Sequence, residues 1–195
     1  IDLGEIKSIE VQNYEVKTES FEKTYNYVFS SGKVYLLSGE SGAGKTTFIN
    51  AMCGLREIVD GKMIVNGKYE IKNLYNYRNH IVYLFQESIL FDRSLAENLA
   101  YPDDEMNEKA KELTEKFKMK KLLTRKVDSS IKNLLSGGEK KRVDIIRTLS
   151  KDKEIYLFDE PTNELDSENV GEVLEEIKKI AKEDKIVIII SHDDR

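Results

Sequence analysis

Apolar and polar positions along this chain change their period several times, and each change marks an element. Between residues 6 and 37 the pattern is that of strands, with Tyr25, Tyr27 and Phe29 alternating with polar residues. The turn Ser30-Ser31-Gly32 leads into the apolar run Val34-Tyr35-Leu36-Leu37. That run stops at Gly39, and a helix-forming segment follows over Thr46–Leu55. Lys62–Val65, the turn Asn66-Gly67 and Tyr69–Ile71 predict a hairpin, and Ile81–Phe85 a further short strand. From Ser94 to Lys126 the pattern is helical. Asp103-Asp104-Glu105 is expected to open the longer helix and the lysines from Lys116 to Lys121 to close it, a polarity that complements a helix dipole. From Lys153 strand and helix alternate again: Ile155–Phe158, a helix over Ser167–Lys182, then Ile186–Ile190. The order predicts an α/β core carrying a helical insertion over about residues 87–135.

Composition narrows this picture. The 195 residues suffice for one well-packed domain with a subdomain inserted. With 31 Lys+Arg against 36 Asp+Glu the net charge is −5, which argues against general nucleic-acid binding. A single cysteine, Cys53, excludes an internal disulfide and fits a reducing compartment. No apolar run approaches a membrane span. The sequence begins with Ile1 and not Met, so it is expected to be a piece of something larger, and its C-terminal part is expected to be truncated.

The chemistry starts at Gly39-Glu-Ser-Gly-Ala-Gly-Lys-Thr46, which has the pattern G-x-x-x-x-G-K-[ST] between an apolar strand and a helix. Glycines at Gly39, Gly42 and Gly44, with Ser41 and Ala43 between them, let backbone N–H groups turn onto phosphate oxygens at a helix N-terminus. Lys45 is placed to reach the β- and γ-phosphates, and the Thr46 hydroxyl, followed by Thr47, to ligate Mg²⁺. A second acidic element ends a buried strand at Ile155-Tyr156-Leu157-Phe158-Asp159-Glu160. In an open α/β sheet both elements converge at the carboxyl ends of the strands. Asp159 would hold Mg²⁺ and Glu160 would polarise an attacking water. Gln86 and His192 stand at equivalent strand ends, where a turn residue is an equal reading.

A second glycine-rich cradle opens a basic helix at Leu134-Leu-Ser-Gly-Gly-Glu-Lys-Lys-Arg142. With it the motif order resembles the nucleotide-binding domain of ATP-binding cassette (ABC) proteins over nearly the whole chain. "GESGAGKTT" resembles the Walker A motif, "YLFQE" the Q-loop, "LSGGE" the signature, "IYLFDEP" Walker B, "TNELD" the D-loop and "SHD" the switch histidine. The resemblance implies a P-loop NTPase (RecA-like) core with an antiparallel β-subdomain and an inserted helical subdomain. It implies that Ser136, Gly137 and Gly138 bind the γ-phosphate of ATP held by a partner cassette, with Asp166 at that interface. His192 would contact the γ-phosphate, and Gln86 would link the Mg²⁺ site to the insertion. Tyr14, 25 residues before Gly39, stands where the family often stacks an aromatic on adenine; an ordinary strand tyrosine is the equal alternative.

The chain departs from the family at Glu139, where many members carry Gln, and at Asp144 and Ile146, where alanine is usual. The implied function is the ATP-hydrolysing motor domain of an ABC transporter, expected to be an exporter, at the cytoplasmic face of the membrane. The segment Ser88–Tyr101 resembles exporters, although Lys126–Asn133 lacks the glutamate and glycines they often show. The implied partners are a second cassette, with complete half-sites favouring a homodimer, and a transmembrane domain, fused upstream of Ile1 or separate. The competing reading is a soluble cassette acting in translation. It rests on the resemblance of "LSGGEKKR", "DEPTNELD" and "SHDDR" to that group and on the basic cluster Lys116, Lys118, Lys120, Lys121, Arg125 and Lys126, for which a solvated helix end is the simpler account.

Overall fold

The computed structural model describes residues 2–18, 21–40, 42–58, 60–73, 76–123 and 134–191. Ser41, Arg125, Lys126, the segment 126–133 and His192 fall outside them. The chain divides into two compact units.

The first unit comprises Ile1–Tyr83, Lys153–Glu160 and Lys179–Arg195. It opens on β1 (Ser8–Thr18) and β2 (Phe21–Ser30), an antiparallel pair joined in one sheet by β4 (Lys62–Val65) and β5 (Tyr69–Glu70) in the order β2-β1-β4-β5. The predicted hairpin forms at Asn66-Gly67. Its last residue, Ile71, belongs instead to a short 3-10 turn over Ile71–Asn73. Asn66 fixes the turn by accepting hydrogen bonds from the Lys7 and Ser8 amides at 2.8 and 3.2 Å.

A second sheet has the order β3-β8-β7-β6, from β3 (Lys33–Ser38), β6 (Ile81–Leu84), β7 (Ile155–Asp159) and β8 (Ile186–Ser191). β3, β8 and β7 are parallel, with Ser38 opposite Ser191 and Asp159 opposite Ile190, so their carboxyl ends are level. Central β7 is buried at every position, as a strand covered on both faces must be. Helix α1 (Lys45–Met52) follows β3 and buries Phe48, Ile49, Ala51 and Met52. These join a core made with Ile9 and Val11 of β1, Met63 and Val65 of β4, and Ile155, Leu157, Ile186, Ile188 and Ile190 of the parallel strands. That core pins the start of α1 to the end of β3.

The second unit comprises Leu84–Asp152 and Pro161–Lys178. Within the stretch read as helical from Ser94 to Lys126, the described residues form three helices: α2 (Leu95–Ala100), α3 (Glu108–Lys116) and α4 (Lys120–Leu123). Asp103-Asp104-Glu105 does not open α3; Asn107 does, its side chain accepting from the Ala110 amide at 2.8 Å. An N-cap needs a side-chain oxygen beside the first turn, and Asn107 supplies it where the acidic trio lies one turn too early. At the other end Lys118 takes a left-handed φ of 58°, which stops α3. Two longer helices follow, α5 (Gly137–Leu149) and α6 (Ser167–Lys182, of which the residues through Lys178 lie in this unit).

Three lysines of the basic cluster are paired with glutamates. Lys116 pairs with Glu176 at 2.7 Å, Lys118 with Glu168 at 2.7 Å and Lys120 with Glu115 at 3.2 Å. Among the described residues no helix is long and apolar enough to cross a membrane.

Candidate active site

In the first unit the loop from β3 to α1 carries Gly39, Gly42 and Gly44 at φ of 148°, 84° and 80°. At Gly42 and Gly44 the backbone is left-handed, a conformation that costs a side-chain-bearing residue about 1 kcal/mol or more. Gly44 is the N-cap of α1 and brings no side chain to it, so the first amides of the helix, Thr46 and Thr47 included, have no intrahelical acceptor. Thr46 is exposed, and Ala43 is half-buried beside it. The Lys45 ammonium folds back to donate to the Gly39 carbonyl and, at 2.9 Å, to the Glu40 carbonyl. The result is a concave row of amides with a cation at its lip, an anion-binding geometry.

Level with this loop, β7 delivers Asp159 and Glu160, which are 3% and 4% exposed. One strand, β8, separates β7 from β3, so the two motifs stand about 10 Å apart across the sheet. Glu160 adopts a left-handed φ of 49° as the chain leaves the sheet, and its amide donates to the Ile190 carbonyl at 3.0 Å. Holding a glutamate there at a conformational cost is the kind of local strain that clusters at functional positions. Tyr83 on β6 donates its hydroxyl to Asp159 Oδ2 at 3.3 Å, and burial, then the Asp159 charge, keep that phenol protonated well above its ordinary range. Tyr83 is a neighbour of the site that sequence reading passed over; only its place two residues before Phe85 in a short strand hinted at it.

Tyr14 is 5% exposed and meets the Phe48 ring edge-on at 5.4 Å.

In the second unit Ser136 is the N-cap of α5. Its hydroxyl accepts from the Glu139 amide at 3.3 Å, while the Glu139 carboxylate accepts from the Ser136 amide at 2.9 Å. This is a capping box, which either Glu or Gln can complete, so the departure at Glu139 preserves the local fold. A Cβ built on Gly137 would meet Glu164 Oε2 at 2.3 Å, and one on Gly138 would meet the Glu164 carbonyl oxygen at 2.9 Å. Only at Gly138 is the close neighbour fixed backbone; at Gly137 it is the end of a side chain that can move. Asp166 caps α6, its carboxylate accepting from the amide and the side chain of Asn169, both at 2.9 Å. Gln86 is exposed just after β6, and its carbonyl accepts from the buried Lys141 of α5 at 3.0 Å. Asp144 is buried where alanine is usual, with the Ile89 amide donating to it at 2.9 Å.

A helix-start amide row and a strand-end acidic pair on the level edge of a parallel sheet place the protein among P-loop nucleotide-binding proteins. Residues 23–163 match the model of the ABC transporter family, and the chain belongs to that family of ATP-binding ATPase domains. It is 32% identical over 182 residues to the glutamine transport ATP-binding protein GlnQ of Bacillus subtilis, covering 88% of this chain and 74% of that protein. It is 32% identical over 176 residues to the methionine import ATP-binding protein MetN 1 of Oenococcus oeni, with 86% of this chain and 50% of that protein aligned. An energy-coupling factor transporter ATP-binding protein, EcfA2 of Staphylococcus epidermidis, shares 32% over 182 residues, 88% of this chain and 64% of its own length. Among solved structures, a bacterial Atm1-family ABC exporter with ATP bound superposes with a TM-score of 0.80 at 25% identity, over 96% of this chain and 35% of the exporter.

Proposed function

We propose that this chain is the ATP-driven motor domain of a membrane transporter, working at the cytoplasmic face and hydrolysing ATP between two cassettes closed head to tail. The observation that carries the reading is the pairing of two cradles of different construction. One, at Gly39–Thr46, has its own cation and an acidic pair level with it. The other, at Ser136–Gly138, is a capped helix start whose unit brings no P-loop of its own. A phosphate bound at the first cradle gives the second a use when a second copy supplies it.

The chemistry follows from the groups present. Lys45 exchanges its loop carbonyls for phosphate oxygens, and Thr46 and Asp159 are the residues that would hold Mg²⁺. Mg²⁺ takes most of its ligands from phosphates and water, so two side-chain oxygens suffice from the protein. Mg²⁺ would neutralise charge developing on the phosphates. Glu160, fixed by its left-handed backbone, orients and deprotonates the attacking water. By family resemblance Gln86 would link the metal site to the helical insertion, and His192 would contact the terminal phosphate.

Relatives named for import and an exporter structure both resemble this chain, so direction belongs to the membrane partner. The soluble translation reading is less well supported, since the relatives are named for transport and Lys116, Lys118 and Lys120 of the basic cluster are each paired with a glutamate.

The deciding experiment is Glu160→Gln in the full chain. It should bind ATP normally, lose most of its turnover and accumulate as an ATP-dependent dimer on a sizing column. Wild-type hydrolysis by that variant would remove Glu160 as the base. Ser136→Arg should bind ATP but stay monomeric, and undiminished turnover would refute the shared site.

A further inference from the structure

Between β6 and α2 the segment Phe85–Phe91 has no regular secondary structure. Its backbone polar groups must find partners elsewhere. One face of α5 provides them. Lys141, 1% exposed, donates to the carbonyls of Phe85 at 3.3 Å and Gln86 at 3.0 Å. One turn on, Asp144 accepts from the Ile89 amide at 2.9 Å. Three residues further, Arg147 donates to the Ile89 carbonyl at 2.7 Å, pairs with Asp144 and lies over the Phe91 ring at 5.5 Å. Residues three apart on a helix are neighbours, so the three charges form one strip. A buried ammonium is tolerated only when it is hydrogen-bonded, and here its partners are main-chain oxygens of the segment it grips.

We propose that Lys141 is a positioning residue for ATP hydrolysis, fixing the Cα of Gln86 through its carbonyl while Asp144 and Arg147 fix the segment three residues downstream. This rests on the assignment of Gln86 to the metal and water site. The Gln86 side chain is exposed and free to reorient, whereas the main chain from which it swings is held at both sides. Its reach is thereby set by α5, the helix whose N-terminus carries Ser136–Gly138. Lys141 touches neither nucleotide nor water in this scheme. It acts on where Gln86 starts from.

The test compares Lys141→Met, Lys141→Arg, Gln86→Ala and the double variant Gln86→Ala/Lys141→Met in the full chain. Turnover, KM for ATP and amide hydrogen exchange over residues 85–91 are measured for each. A misplacement of about 1 Å can cost on the order of 100-fold in rate, so Lys141→Met should lower kcat by about 10- to 100-fold with KM for ATP little changed. Its exchange over 85–91 should accelerate, Lys141→Arg should recover much of the rate, and the double variant should turn over like Gln86→Ala alone. Losses that multiply in the double variant, or unchanged exchange in Lys141→Met, overturn the proposal and leave the role of Gln86 standing. Wild-type turnover by Gln86→Ala removes that role, and the proposal with it. Should Lys141→Met fail to fold, Asp144→Ala, which removes the acceptor of the Ile89 amide, serves in its place, with the same faster exchange and lower kcat expected; wild-type values for both overturn the proposal.

Discussion

Glu164 lies against Gly137 so closely that a Cβ there would meet its carboxylate oxygen at 2.3 Å, while a Cβ on Gly138 would meet its carbonyl oxygen at 2.9 Å. The two glycines are thus constrained by the same residue through different atoms. A carboxylate at the end of a side chain can swing away; a backbone carbonyl cannot.

Gly138→Ala should therefore destabilise the protein by about 1–3 kcal/mol, the usual cost of overpacking. Gly137→Ala should cost little, and in a Glu164→Ala background should stabilise by up to about 1 kcal/mol, because alanine is the better helix former. Urea unfolding of the single and double variants measures both. Equal losses at the two positions would contradict the geometry.

The capping box at the start of α5 makes Glu139→Gln nearly silent in stability, since the amide oxygen can accept the same bond from Ser136. Ser136→Ala loses the cap and should cost about 1 kcal/mol. Thermal unfolding without nucleotide separates these stability effects from any effect on turnover.

Asp166 offers a pH test. Hydrogen bonds from the Asn169 amide and side chain hold its carboxyl below the usual range. A depressed folded pKa means that its stabilisation is present above the unfolded value and is lost as pH falls through the folded one. The Tm gap between wild type and Asp166→Ala should hold steady from pH 7 to 5 and close at strongly acid pH. A gap that widens on acidification would reverse the sign.

Burial, opposed weakly by Arg78, pushes the Cys53 thiol up to about 12. At pH 8 only about one molecule in 10⁴ then carries the thiolate, so alkylation should run about 10³-fold slower than for an exposed cysteine. Cys53 ends α1, and its reaction rate reports how often the helix behind the phosphate loop opens. Rapid labelling of the folded protein would show that the thiol is accessible.

Much of this fold was legible because periods and turns spoke for themselves. The helix Ser167–Lys182 has the bounds that the sequence pattern predicts, and the apolar run before Gly39 is the strand it resembled. The segmentation of residues 94–126 was not legible, because the residue that stops α3 in a left-handed turn is Lys118, a side chain with no preference for that conformation. The motifs at Gly39–Thr46 and Asp159-Glu160 could be read since each places its chemistry in consecutive residues. What could not be read were partners distant in sequence. Asp144 looked like an intrusion into a tightly packed helix, and its partners, the Ile89 amide 55 residues away among them, explain it. Tyr14 shows the same limit from the other side: its spacing to Gly39 suits a base-stacking ring, while its burial against Phe48 is a tertiary fact.

The position of Lys45 bears on how any affinity for nucleotide should be understood. Its ammonium is already seated on the Gly39 and Glu40 carbonyls, so the loop is shaped around a charge before a phosphate arrives. Binding is then a substitution of one set of oxygens for another, and only the difference between them contributes to affinity. A Lys45→Ala measurement reads that difference together with whatever shape the loop takes without its internal cation. The lysine acts first as the template of the site it later serves.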